Sequence, residues 1–197
     1  RFFTPRFFTP RFFTPRFFTP RFFHISGCQR MVVEIRGELA VDDDKLRFAI
    51  VVSKYNSSIT DKLRQGSIDT LKANGVSEKQ IDVFYVPGAW ELSVTAKCLA
   101  DNNQYSAIIC LGAVIKGETT HDQYINQQVS HSLGQISVEY RIPVAFGLLT
   151  CNSMEQAIHR AGGNVGNKGV ECAEAALEMV NLLHQIEGPM PDHSTIK

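Results

Sequence analysis

Apolar runs of strand length alternate with helix-period stretches along most of the chain. Residues 48–52 form one such run, and a helical pattern over 58–74 follows, with Gly75 placed to end it. A second run at 81–86 stops at Pro87-Gly88 and leads into a helix over 89–101. Residues 107–115 give a third strand, 121–140 a long helix and 143–149 a fourth strand. Helices over 153–161 and 167–186 finish the pattern, and Val32 to Ile35 read as a short edge strand ahead of it. Most of the strand runs are continuously apolar, which predicts strands covered on both faces. The expected class is α/β: a three-layer αβα sandwich around a four-stranded parallel sheet.

The last helix is unusual. Its polar residues Glu171, Glu174, Glu178, Asn181 and Gln185 recur at spacings of 3 and 4, so they form one narrow stripe, and nearly everything else is apolar. A helix covering one sheet needs an apolar face of about 100°. This one offers more, which predicts burial against a second subunit as well as its own sheet.

Composition divides the chain. Ten of 13 phenylalanines fall within the first 23 residues, where Arg-Phe-Phe-Thr-Pro is repeated four times. A proline at every fifth position excludes a continuous helix or a central strand. The segment lacks both the apolar core of a secretory signal and the serine-rich amphipathic character of a transit peptide. Residues 1–30 are therefore expected to be a low-complexity, disordered extension, 31–188 the folded domain, and 189–197 a tail. The net charge is zero, with 20 basic and 20 acidic residues, which argues against a nucleic-acid binder or a membrane-surface binder. The longest apolar stretch, Ala107–Ile115, is far short of the roughly 20 residues of a bilayer span. Five widely spaced cysteines without a CxxC pair fit a reducing compartment, and the expected location is the cytoplasm. The six histidines form no HxH or HxxxH pair, so no metal site is expected.

In open parallel sheets, ligands bind beyond the carboxyl ends of the strands. The loops there carry Tyr55 and Asn56, then Ala89-Trp90-Glu91, then Glu118-Thr119-Thr120-His121, and finally Cys151-Asn152 with Arg160 further on. Thr120 and Gln123 have capping-box spacing, which predicts a helix starting at His121 and free amides suited to an anion after Gly117. The dipole at that helix start favours a neutral imidazole able to exchange protons. Each residue also has a plainer reading. Glu91 suits any helix start, Tyr55 and Trp90 suit packing, and Arg160 suits a helix end. Lys168 is less easily explained, because a cation opposes the dipole at a helix start.

The blocks IRGEL (35–39), FAIVVSKYN (48–56), VPGAWE (86–91), GAVIKGETTH (112–121), PVAFG (143–147) and RAGGNVGNKG (160–169) resemble the lumazine synthase family over residues 33–187. The resemblance implies a flavodoxin-like fold and the condensation of 5-amino-6-(D-ribitylamino)uracil with 3,4-dihydroxy-2-butanone 4-phosphate. The products are 6,7-dimethyl-8-ribityllumazine, phosphate and water, and no cofactor is used. It implies that Tyr55 stacks on the pyrimidine, with Asn56 beside it among the binding residues. Ala89, Trp90 and Glu91 take the ribityl side, and Ala113, Val114 and Ile115 line the pyrimidine site. Glu118 and Thr119 offer amides to phosphate, and His121 transfers protons. Phe146, Arg160 and Lys168 come from a neighbouring subunit, with Arg160 on the phosphate. The family usually has Phe or Trp where Tyr55 stands. Members form pentamers, many of them packed into icosahedral shells. The short 162–169 connection is compatible with a shell, the N-terminal strand is expected to join a neighbouring subunit, and riboflavin synthase is a candidate partner.

Three alternatives stay open at this point. One is an archaeal-type riboflavin synthase acting on two lumazines. Another is a non-catalytic flavin- or lumazine-binding shell. The third is a flavodoxin-like electron carrier, which would need a Ser/Thr-rich phosphate loop where Lys54-Tyr55-Asn56 stands.

Overall fold

The computed structural model describes residues 32–188; the expectations for residues 1–30 and 189–197 lie outside them. The central sheet consists of β1 (Phe48–Ser53), β2 (Ile81–Val86), β3 (Ala107–Ile115) and β4 (Val144–Cys151). All of its pairings are parallel, in the order β2-β1-β3-β4. The helices are α1 (Ser57–Ala73), α2 (Glu91–Asp101), α3 (His121–Tyr140), α4 (Met154–Arg160) and α5 (Lys168–Glu187). Alternate strand residues explain the continuous apolar runs. Phe48, Ile50, Val52, Ile109 and Leu111 join the core packed by Leu63 and Leu71 of α1 and Leu177 of α5. Ala49, Val51, Ile108 and Cys110 join a second core packed by Leu92 of α2 and Leu133 of α3. Both sides of every inner strand are thus dry, giving the three layers that the α/β reading predicts.

The chain leaves β1 for β2 on one side of the sheet and returns to β3 on the other. The topological switch point therefore lies between β1 and β3, where the strand ends open a crevice. The loops around it are tied to one another through main-chain bonds. Lys54 donates its amide to Val86 O at 2.8 Å, Tyr55 to Pro87 O at 3.2 Å, and Lys116 to Cys151 O at 2.8 Å.

Several local expectations are corrected. Val32 to Ile35 form no strand within the chain; the segment runs without regular secondary structure to residue 43, with a bend at Leu39. It lies on the polar stripe of α5. Asn181 Nδ2 donates to Glu38 O at 2.7 Å and Gln185 Nε2 to Arg36 O at 3.0 Å. Gly37 presses on the α5 backbone so closely that a Cβ there would sit 1.9 Å from Glu178 O. The stripe is therefore clasped by the chain itself. The outward line of α5 is a different one: Ala175, Met179, Leu182 and Ile186 at helical spacing, with Met179 and Ile186 exposed. A small hairpin that the sequence pattern did not announce pairs β5 (Ala161–Gly163) with β6 (Gly166–Asn167).

Gly37→Ala is expected to lift this segment, because a methyl group cannot rotate away from a main-chain oxygen. A stability loss of about 1–3 kcal/mol should appear in the denaturant midpoint, in the range of overpacking changes. Amide exchange should also rise at Val41, whose N–H donates to Asn74 O.

Candidate active site

A cavity of about 530 Å³ opens at the switch point. Its wall is formed by the end of β3 (Ala113, Val114, Ile115), the Pro87–Glu91 loop with Trp90, and Tyr55 after β1. Thr119 and His121 enter from the start of α3, so most of the expected residues meet in one place. Tyr55 and Trp90 are both largely exposed, presenting aromatic faces at the mouth.

The sequence explains these positions. Asn56 adopts the left-handed conformation (φ 59, ψ 45) that Asn tolerates better than most residues, and this turns the chain from β1 into α1. Its Nδ2 donates to Ala113 O at 2.9 Å, so the side chain pins the Tyr55 loop to β3 and does not line the cavity. Asn56 therefore fixes the loop that carries Tyr55. Glu91 opens α2, where a carboxylate suits the dipole, and its Oε2 accepts the Gly88 amide at 2.8 Å. It does this while lining the cavity, so the structural and binding readings of Glu91 hold together.

The long helix starts at His121 as expected, but the capping box does not form. Thr120 has φ −84 and ψ 13, away from the extended conformation that brings an N-cap hydroxyl over the next turn. The Thr119 hydroxyl accepts the His121 amide instead, at 3.4 Å. Glu118 is exposed beside the cavity and does not line it. Asp122 and Ile125 do line it, and neither was named from the sequence as a binding residue. Ile125 is four residues after His121 on the same helical face, a spacing that could have revealed it.

Phe146, Arg160 and Lys168 line a different cavity, of about 480 Å³, along the open edge of β4. Gln156, His159 and Val165, on α4 and the β5–β6 hairpin, share it and were missed. Arg160 is the last residue of α4 and Lys168 the first of α5. The Asn167 side chain caps α5 by accepting the Gly169 amide at 2.8 Å. Glu171 answers the awkward charge of Lys168: Lys168 Nζ donates to Glu171 Oε2 at 2.9 Å, and Arg160 Nη2 reaches the same oxygen at 3.5 Å. The Lys168 hydrogen bond is the main influence holding the Glu171 carboxyl below its usual range, with help from Arg160. Cys151 also lines this cavity, and burial raises its thiol against the opposing effect of Arg160. Cys110 and Cys172 are core residues, the Cys172 thiol being pushed up to about 11 by burial. Among the described residues no group of His, Cys, Asp and Glu is arranged to hold a metal ion. No described helix is long and apolar enough to cross a membrane.

The chain thus carries an aromatic-walled cavity with a histidine at a helix start, and a separate cavity with two cations on a shared carboxylate. Residues 45–184 match the family model described as 6,7-dimethyl-8-ribityllumazine synthase, a match over more than half of the chain that includes both cavities. The chain belongs to the 6,7-dimethyl-8-ribityllumazine synthase family.

Proposed function

We propose that the protein condenses 5-amino-6-(D-ribitylamino)uracil with 3,4-dihydroxy-2-butanone 4-phosphate, yielding 6,7-dimethyl-8-ribityllumazine, phosphate and water. The family is one of transferases in riboflavin biosynthesis. The observation that carries the finer reading is the split of the family-matched residues between two cavities: flat apolar walls with His121 in one, Arg160 and Lys168 in the other. A planar heterocycle suits the first and a phosphate the second. Since the two linings share no residue, a second copy of the chain bringing its β4 edge to the first cavity completes the site.

In this reading Tyr55 stacks on the pyrimidine, and Ala113 to Ile115 line its edge. With one oxygen engaged by Gly88, the Glu91 carboxylate keeps another for a ribityl hydroxyl. The substrate amine is itself the nucleophile, so no covalent enzyme intermediate is required. It attacks the ketone carbonyl and water leaves to give an imine. Loss of the neighbouring C–H proton expels phosphate as its C–O bond breaks, and the ribitylamino nitrogen then adds to the carbonyl so formed and closes the ring with loss of a second water. His121 carries protons in these steps, and Arg160 and Lys168 take up the charge on the leaving phosphate. Holding both reactants together supplies much of the acceleration. The exposed line of α5 through Met179 and Ile186 supports a homo-oligomer, which we take to be the pentamer, alone or packed into a shell.

The test is incubation of the full chain with both substrates, following lumazine absorbance and released phosphate. Equal amounts of the two products are expected, and none when either substrate is omitted. Lumazine or flavin binding without phosphate release would point to a carrier, and riboflavin formed from lumazine to a riboflavin synthase. Light scattering gives the assembly size.

A further inference from the structure

Among the described residues, Glu171 is the one carboxylate shared by the two cations of the second cavity, and both bonds end on the same oxygen. The three side chains are between 31% and 42% exposed, so an anion arriving from solvent can reach the donors that Glu171 occupies. A carboxylate carries one negative charge, whereas a phosphate monoester carries about −1.5 to −2 near pH 7 and offers three acceptor oxygens. Arg160 and Lys168 together have more N–H donors than one carboxylate oxygen can use. An incoming phosphate therefore competes for these groups on favourable terms.

We propose that Glu171 is a resident counter-anion for the phosphate-binding cations. It holds Arg160 and Lys168 in place while the cavity is empty, yields them to the substrate phosphate, and reclaims them as the product leaves. This rests on the assignment of Arg160 and Lys168 to phosphate made above. Glu171 acts through those cations, so it is a positioning residue that sets phosphate affinity and release. Its depressed carboxyl pKa has a clear sign: the ion pair is intact above the ordinary carboxylate range and is lost only as pH falls through the lowered value.

The proposal predicts a change opposite to that of a merely structural ion pair. Glu171→Gln keeps the shape and removes the competing charge, so inorganic phosphate should bind about tenfold more tightly, the scale of one exchanged hydrogen bond to a charged group. The KM for the phosphorylated ketone should fall together with kcat, because product phosphate leaves more slowly. Calorimetry with inorganic phosphate on the full-length wild type, Glu171→Gln, Arg160→Ala and the same-helix control Glu174→Gln tests this. Unchanged or weaker binding by Glu171→Gln overturns the proposal, as does equal tightening by Glu174→Gln. Arg160→Ala that binds phosphate like wild type overturns the underlying phosphate assignment instead. Should Glu171→Gln fail to fold, a crystal structure of the wild type with inorganic phosphate decides. Arg160 and Lys168 turned from Glu171 onto phosphate supports the exchange; both still on Glu171 with phosphate bound beside them refutes it.

Discussion

Arg160→Ala is expected to abolish measurable lumazine formation while leaving pyrimidine binding intact. The guanidinium is a planar, permanently charged donor, and in the proposed site it meets the phosphate both in the ground state and as the C–O bond breaks. Removing one such donor from a developing anion costs roughly 10²–10³-fold in rate, and the lost ground-state binding adds to this through KM. The damage should fall on the phosphorylated ketone. Its KM rises steeply, whereas calorimetry with the ribitylaminouracil should give an affinity near that of wild type. Local consequences for the fold are small, because Arg160 ends a short helix and its side chain is a third exposed. Lys168 stays on Glu171 in the variant, which keeps that carboxylate paired.

His121→Ala is expected to act differently, lowering kcat by ~10²–10⁴-fold, the usual contribution of a positioned general acid–base group. Neither substrate should bind much more weakly, since the cavity wall around the pyrimidine is built from β3, Trp90 and Tyr55. The helix start should survive, because the contacts that begin α3 are the Thr119 hydroxyl and main-chain groups. The pair of variants separates proton transfer from phosphate capture. Measured by calorimetry, an equal collapse of pyrimidine affinity in both would refute this division of labour.

The central sheet was legible because each of its inner strands is dry on both faces. Residues 81–86 kept their limits as the half-buried edge strand β2, ended by Pro87-Gly88, and 121–140 became α3, while 107–115 became the inner strand β3. In such strands burial leaves a continuous apolar run, and the run ends where the strand ends. What escaped the pattern has little apolar content of its own. The β5–β6 hairpin is two or three residues a side and rich in glycine, so no periodicity can mark it. The Thr120 box failed because capping depends on a backbone angle that residue type does not fix. Residue type alone did not show that the left-handed turn at Asn56 aims its amide at a main-chain oxygen of β3. The cavity itself was foreseeable from the strand ends, and the separate lining that holds Phe146, Arg160 and Lys168, which the resemblance assigned to a neighbouring subunit, follows from β4 standing at the edge of the sheet.

The seat of residues 36–40 on α5 has a consequence for how this protein tolerates change. Asn181 and Gln185 grip peptide oxygens of Arg36, Glu38 and Ala40, groups that every amino acid supplies. Evolution is therefore free to rewrite the charge and bulk at those three places without loosening the clasp. Position 37 has no such licence, since anything larger than a hydrogen atom meets the carbonyl of Glu178. The attachment is blind to identity at most of its length and absolute at one point, a pattern that a comparison of sequence variants should display as a lone invariant amid drift.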